Sequence, residues 1–422
     1  MTTAVESSSE ATPLVARTVA VPDPGPLLAL LPDHDALAWV RRGDGLVGWG
    51  QAAVVRPRGA GRFAEANAWW KAHARAAVVR DEVRQPGTGL VAFGSFAFAD
   101  EPGSSVLVVP EVLVGRRGET TWVTTVGTGT IASAPDVVPQ EDPEPPTGVT
   151  FADGALSGAE WQSVVAEAVR RIQAGELEKV VLARDLVATA AADIDVRWPV
   201  RRLAESYSTC WTFHVDGLFG ATPEMLVRRE RGLVHSRVLA GTIRRTGDDE
   251  HDLALAAALA RSSKDLEEHE YAVRSVADAF APHCTSMNVP ESPFVLHLPN
   301  VMHLATDVAG VIHDSPQDAA TSLELAAALH PSAAVGGTPT DVAKGVIAEI
   351  EGMDRDRYAG PVGWMDATGD GEWGIALRSG RIDGRTVRLF AGCGIVASSD
   401  PEAELAEAQA KFVPVRDAVS GV

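Results

Sequence analysis

Cysteine is scarce in this chain of 422 residues: Cys210, Cys284 and Cys393 are the only three. They are odd in number, far apart and without the paired spacing of a metal site. That excludes a disulfide-stapled scaffold and fits a reducing compartment. No apolar run reaches the length of about 20 residues that a membrane span needs. The opening MTTAVESSSEATPL has neither a basic start nor an apolar block, so no secretory signal is read there and the cytoplasm is the expected location. Basic residues are in deficit, 37 Lys and Arg against 57 Asp and Glu, for a formal net charge of -20. This argues against nucleic acid or an anionic membrane as the main partner. An anionic substrate would need locally placed Arg, Lys or metal. There is no internal repeat.

What is present is enough chain to bury one large core or two closely joined ones. Residues 1–20 are polar and are expected to be loose. Within 21–132, Ala36 to Gly50 reads as a hairpin around Gly43-Asp44-Gly45, and Arg62 to Val79 as a helix. Gly89 to Asp100 and Ser104 to Val126 read as further strands. Residues 133–150, with SAPDVVPQEDPEPPT, form a Pro-rich acidic linker and the only clear boundary. The rest, 151–418, opens with a helix from Leu156 to Gly175, where Ser157 and Glu160 make a capping box. Trp161, Val164, Val165, Ala168 and Ile172 are its buried face. Strands follow through Lys179 and through Val234 to Arg245, with a turn at Gly220 to Glu224 and a helix over SSKDLEEHEYAVRSVADAF. Many short, hairpin-joined strands with interspersed helices predict an α+β fold with antiparallel sheets.

Chemistry concentrates near the C-terminus. Val387 to Phe412 runs from a β-branched stretch through Gly392-Cys393-Gly394 to a helix that starts at Asp400-Pro401. Glu404, Glu407 and Lys411 stand in one stripe of that helix, beside an apolar stripe of Leu405, Ala408, Phe412 and Val415. The plain reading is a pair of early-turn acids favoured by the helix dipole, with a surface lysine partner. Yet the helix over SSKDLEEHE carries a second acidic pair, Asp265 and Glu268. Four hard oxygen donors with no interspersed His or Cys suit Mg²⁺.

LEKVVLAR, GATPE, LAGTIRR, KDLEEHE, LHPSAAVGGTP, YAGPVGWMDATGDGEWGIALRSG and RLFAGCGIVASSDPEAELAEAQAK occur in one order. In that order they resemble the chorismate-utilising enzymes, and the pattern is most similar to isochorismate synthases. The dense motifs cover roughly 157–416, with weaker similarity before them. The resemblance implies antiparallel sheets and surrounding helices around a deep central cleft. It also implies a Mg²⁺-dependent, monomeric enzyme acting on chorismate, in which water attacks ring carbon 2 while the carbon 4 hydroxyl leaves.

Residue by residue, the resemblance makes Lys179 the general base, which must lose its proton to act, and Glu224 the general acid, which must keep one until needed. Their plainer readings are an edge-strand lysine and a turn glutamate after proline. Glu268 and Glu407 match direct metal ligands, Asp265 and Glu404 carboxylates that hold the metal's waters. Arg378 and Lys411 match binders of the substrate carboxylates. Gly392 and Gly394 match positions where backbone N–H groups approach the substrate, or else a bulge or close sheet packing. Gly241 and Thr242 match a further substrate contact. His303 and Tyr358 match cleft-lining positions, where a side chain satisfied by the backbone is the alternative.

Lys179 stands where ammonia-using relatives carry Gln, which points to water as the nucleophile. Ala334-Val335 stands where salicylate synthases carry Thr-Ala, so the reaction is expected to stop at isochorismate rather than go on to pyruvate elimination. Cys393 replaces a common Ala between the glycines, a small change. A non-catalytic paralogue is the alternative from another class, disfavoured by the intact set of polar positions. Which pathway draws on the product (menaquinone, siderophore or salicylate) is not written in the motifs.

Overall fold

Leu37–Arg41 and Asp44–Trp49 pair as a hairpin, with Arg42 and Gly43 at φ of 53° and 85°. Two left-handed residues in a two-residue turn match the twist of the strands they join. The turn therefore falls just before the Gly43-Asp44-Gly45 centre read from the sequence. The computed structural model describes residues 13–101, 103–129, 135–297, 301–313 and 319–421. Among these residues the chain forms a 13-stranded and a 10-stranded sheet.

The larger sheet runs from Thr150–Asp153 through Lys179–Thr189, Thr386–Ile395, Ser379–Asp383, Leu218–Thr222 and Trp211–Val215 to the hairpin above. It continues through Val112–Arg117, Thr120–Thr128 and Leu14–Ala20 to Val78–Asp81, while Gly337–Thr338 adds two residues beside Lys179. The smaller sheet runs Cys284–Asn288, Val301–Ile312, Leu233–Arg244, Met225–Glu230, Gly371–Ile375, Pro361–Asp366, Val91–Ser95, Val106–Val109 and Ala53–Val55, with Phe294–His297 alongside Val301–Ile312. Neighbours are antiparallel, except that Leu14–Ala20 lies parallel to Val78–Asp81.

Two sequence expectations need correction. Residues 14–20 are not loose: Leu14, Ala16 and Thr18 are buried at alternate positions, and the strand pairs along Thr120–Thr128. Seven residues, LVARTVA, behind a polar start are easily read as the end of a tail. The helix expected to Val79 ends at Ala76, because the β-branched Val78 and Val79 enter the edge strand. The Pro-rich segment does not separate two sheets; both draw strands from either side of it.

The sheets face each other across an aromatic core. Trp39 and Phe213 of the larger sheet pack with Phe93 and Trp364 of the smaller, and Leu182 and Phe390 share a cluster with Val227 and Trp373. Burial of each such ring contributes roughly 2–3 kcal/mol. Outside the larger sheet lie Gly158–Gln173, with its capping box formed, Arg197–Ser206 and Pro401–Val419. Trp161 is fully buried and donates from Nε1 to the Ala183 carbonyl at 3.0 Å. Phe412, Val415 and Val419 pack with Val200 and Leu203. The Ser263–Phe280 helix covers Leu233–Arg244 and Val301–Ile312 through Val273, Val276 and Phe280. The chain passes repeatedly between the sheets, and two of these crossings lie at Pro223-Glu224 and at Ala376 to Arg378. Those crossings form part of the wall of the central cleft.

Candidate active site

The cleft has two lobes, of ≈ 350 Å³ and ≈ 880 Å³, that share Lys179, Glu224, Leu239, Ala240, Ala334 and Val396. The smaller lobe gathers most residues singled out by the sequence. Lys179, Glu224, Gly241, Asp265, His303, Ala334, Tyr358, Arg378, Gly392, Gly394, Glu407 and Lys411 all line it. Glu404 stands one helical turn before Glu407. The side chains of Thr242 and Glu268 lie outside the described residues; their backbones belong to Leu233–Arg244 and Ser263–Phe280.

Glu224 sits on the crossing that follows Leu218–Thr222, its N–H donating to Thr222 Oγ1 at 3.2 Å and its carbonyl accepting from Ile375 N at 3.1 Å. Both sheets thus hold its backbone. Burial of the carboxyl pushes its pKa up to about 7, against the opposing pull of Lys179, Arg378 and Lys411. It is therefore a carboxyl that carries its proton near neutral pH.

Lys179 opens its strand opposite Thr338. A methyl group on Gly394 would lie 2.9 Å from Lys179 Cε and 3.6 Å from Nζ. The bare glycine therefore provides the space in which the amine lies. Gly392 plays a similar part for Tyr358: an added Cβ would stand 3.2 Å from its hydroxyl and 3.0 Å from the Leu182 carbonyl. Tyr358 stacks on Phe390, ring centroids 5.1 Å apart, and burial raises its pKa. Lys411 donates to the Gly392 carbonyl at 2.9 Å and pairs with Glu407 at 2.8 Å.

Gly241 is a bulge, lying between the pairs Ala240–Leu304 and Thr242–His303 at φ 75°. A Cβ there would meet Asp265 Cβ at 3.2 Å and Leu304 at 3.3 Å. The bulge therefore seats Asp265 against the strand. His303 bonds the Gly241 backbone, but burial, with Arg378 and Lys411 adding repulsion, brings it down to about 4. Its imidazole is neutral. Arg378, at φ 48°, makes no ion pair with a described residue, yet its charge is felt by both Glu224 and His303.

The carboxylates of Glu404 and Glu407 and the thiol of Cys393 all lie within 4.8 Å of one another. Burial, reinforced by the charge of Glu407, raises Glu404 even though Ser399 Oγ donates to it at 2.7 Å. Burial also acts to raise Glu407, but Lys411, joined by Arg244 and Cys393, outweighs it and the net shift is downward. The thiol is pushed up to about 12 by burial, so it is neutral and offers no thiolate. The donors are then hard carboxylate oxygens on one helix, with Asp265 on another helix lining the same lobe. This chemistry fits Mg²⁺.

Sequence reading missed three supports. Ser399 fixes Glu404; His269 hydrogen-bonds the Ala240 carbonyl (3.2 Å) and Thr306 Oγ1 (2.7 Å) behind the bulge. A buried pair, Glu351 and Arg355, lies beneath the Lys179 strand. Only the spacing of Glu351 and Arg355 at i and i+4 could have pointed to the last.

The model of the chorismate binding enzyme family matches residues 33–420, and the chain belongs to that family. Within it, similarity runs to isochorismate synthases. Isochorismate synthase MenF of Bacillus subtilis (strain 168) is 31% identical over 406 residues, covering 89% of this chain and 85% of that protein. The structure of a putative 2,3-dihydroxybenzoate-specific isochorismate synthase, DhbC from Bacillus anthracis, superposes with a TM-score of 0.75 at 31% identity over 93% of this chain and 98% of that one. That of MenF, the menaquinone-specific isochorismate synthase of Escherichia coli, gives a TM-score of 0.78 at 25% identity over 98% and 97%. The antiparallel α+β fold expected from the sequence is the one these structures share.

Proposed function

We propose that the protein is a Mg²⁺-dependent isochorismate synthase. A single observation carries the reading: an amine, Lys179, and a carboxyl protonated near neutral pH, Glu224, face one lobe that the guanidinium of Arg378 also lines. In the proposed reaction Lys179 takes a proton from a water whose oxygen bonds to ring carbon 2. The ring double bond shifts, and the bond from carbon 4 to its hydroxyl breaks. Glu224 supplies the proton with which that hydroxyl leaves as water. One water enters and one departs, so substrate and product are isomers, and the proton gained by Lys179 must return to Glu224 through solvent before the next turnover.

Arg378 offers a planar fork to a substrate carboxylate. Lys411 can turn one of its donors to the same substrate while its other contacts hold it in place. Neutral His303 can donate or accept at the wall without adding charge. When bound, Mg²⁺ held by Glu404, Glu407 and Asp265, with Glu268 assigned to the same set by resemblance, would neutralise and clamp a substrate carboxylate. Ala334 and Val335 offer no side-chain hydroxyl beside the substrate, which favours release of isochorismate over pyruvate elimination.

The test is product analysis after incubation with chorismate and Mg²⁺. Isochorismate alone is expected. Salicylate with pyruvate would assign the lyase, and unchanged chorismate a binding protein.

A further inference from the structure

The strand that presents Lys179 is incompletely paired. On one side Thr386–Ile395 runs along it from Val180 to Thr189. On the other, Gly337–Thr338 covers only Lys179 and Val180, and Thr150–Asp153 covers only Leu186 to Thr189. Between them no described strand pairs with the backbone groups that face outward, although the Val181 N–H still reaches the Gly336 carbonyl at 2.9 Å, and a buried N–H or carbonyl left without a partner is costly.

Side chains fill that gap. The Ala183 N–H donates to Glu351 Oε2 at 2.8 Å, and the Val181 carbonyl accepts from Arg355 Nη2 at 2.6 Å. Arg355 Nε meets Glu351 Oε1 at 2.6 Å, so the two side chains form one planar unit, with 2% and 1% of their surfaces exposed. The guanidinium stacks over Phe98, 4.1 Å from the ring centroid. Its remaining arm, Nη1, donates to the Val335 carbonyl at 2.9 Å. One guanidinium thus ties the strand of Lys179 to the Ala334-Val335 turn, and Arg355, Ala334 and Val335 all line the catalytic lobe.

A buried ion pair is a poor source of stability compared with apolar residues of equal volume. Its specific asset here is geometry: a fork of fixed angle that sets the spacing between two backbone carbonyls on different segments. We propose that Glu351 and Arg355 are positioning residues, a side-chain substitute for a missing strand that holds the Lys179 amine and the substrate-facing turn in a fixed relation. The proposal rests on the assignment of Lys179 as the base.

Arg355→Lys keeps the charge but cannot span both carbonyls, and Glu351→Gln keeps the shape but removes the ion pair. Each would be assayed for kcat, KM, Mg²⁺ affinity by titration, and thermal unfolding, with Lys179→Ala as the companion variant. The expected result is a fall in kcat of about 10- to 100-fold, because misplacement of a catalytic group by about 1 Å acts on this scale. KM and Mg²⁺ affinity stay within about twofold, since Arg378 and the carboxylates are untouched. A variant that is folded at the assay temperature and turns over at the wild-type rate overturns the proposal, as does an equal loss in substrate and Mg²⁺ binding. Should Arg355→Lys not fold, Glu351→Gln gives the same reading. Activity retained in Lys179→Ala would instead remove the base assignment, a failure distinct from that of the ion pair.

Discussion

Replacing Glu224 by Gln leaves a side chain of the same shape and removes the proton it would donate. The wild-type carboxyl has a pKa of about 7 in place of the ordinary 4.5. At pH 7 about half the molecules carry the acid form, whereas an ordinary carboxyl would carry it in about 1 of 300. The same shift has a cost in stability. A group whose folded pKa is raised favours folding below its unfolded pKa and loses that contribution as pH climbs through the folded value. Burying the Glu224 carboxylate therefore destabilises the wild type by about 3 kcal/mol at pH 8 and by about 1 kcal/mol at pH 5.5. Glu224→Gln, neutral throughout, escapes this. The variant is expected to lose turnover by about 10²- to 10⁴-fold, yet to unfold at a higher temperature than wild type at pH 8, with the difference shrinking towards pH 5.5. In the wild type, kcat/KM should fall as pH rises past about 7, as the acid form is lost. Parallel melts at the two pH values and a pH–rate profile check both halves. A folded variant with near-wild-type turnover refutes the acid role. Equal melting temperatures at pH 8 refute the desolvated carboxyl on which that role depends.

Gly394→Ala places a methyl 2.9 Å from Lys179 Cε, against the far end of a flexible side chain rather than backbone. The melting temperature should hardly change while kcat falls about tenfold or more, as steady-state kinetics would reveal. Gly241→Ala acts on the metal side: it strains a residue at φ 75° and presses on Asp265. A stability loss of about 1–3 kcal/mol in denaturant melts is expected, with weaker Mg²⁺ binding by calorimetry. Unchanged Mg²⁺ affinity would detach the bulge from the metal site.

Local pattern alone determined a good deal of this protein. The capping box at Ser157 and Glu160, the Asp400-Pro401 helix start and the apolar stripe Ala408, Phe412 and Val415 were legible because each depends on neighbours within a few residues. The ordered motifs also identified the residues that meet in the cleft, since chemistry of this kind constrains residue type at each position. Other facts belong to tertiary structure. The strand Leu14–Ala20 read as part of the polar start because the partner that buries its alternate residues, Thr120–Thr128, lies about a hundred residues later. The roughly neutral set point of Glu224 comes from desolvation where the two sheets meet, which no local pattern encodes. The same holds for Glu351 and Arg355, ordinary charges on paper. Only the gap between Gly337–Thr338 and Thr150–Asp153 along the Lys179 strand gives them backbone partners, and pairings between distant segments are set by packing of the whole chain.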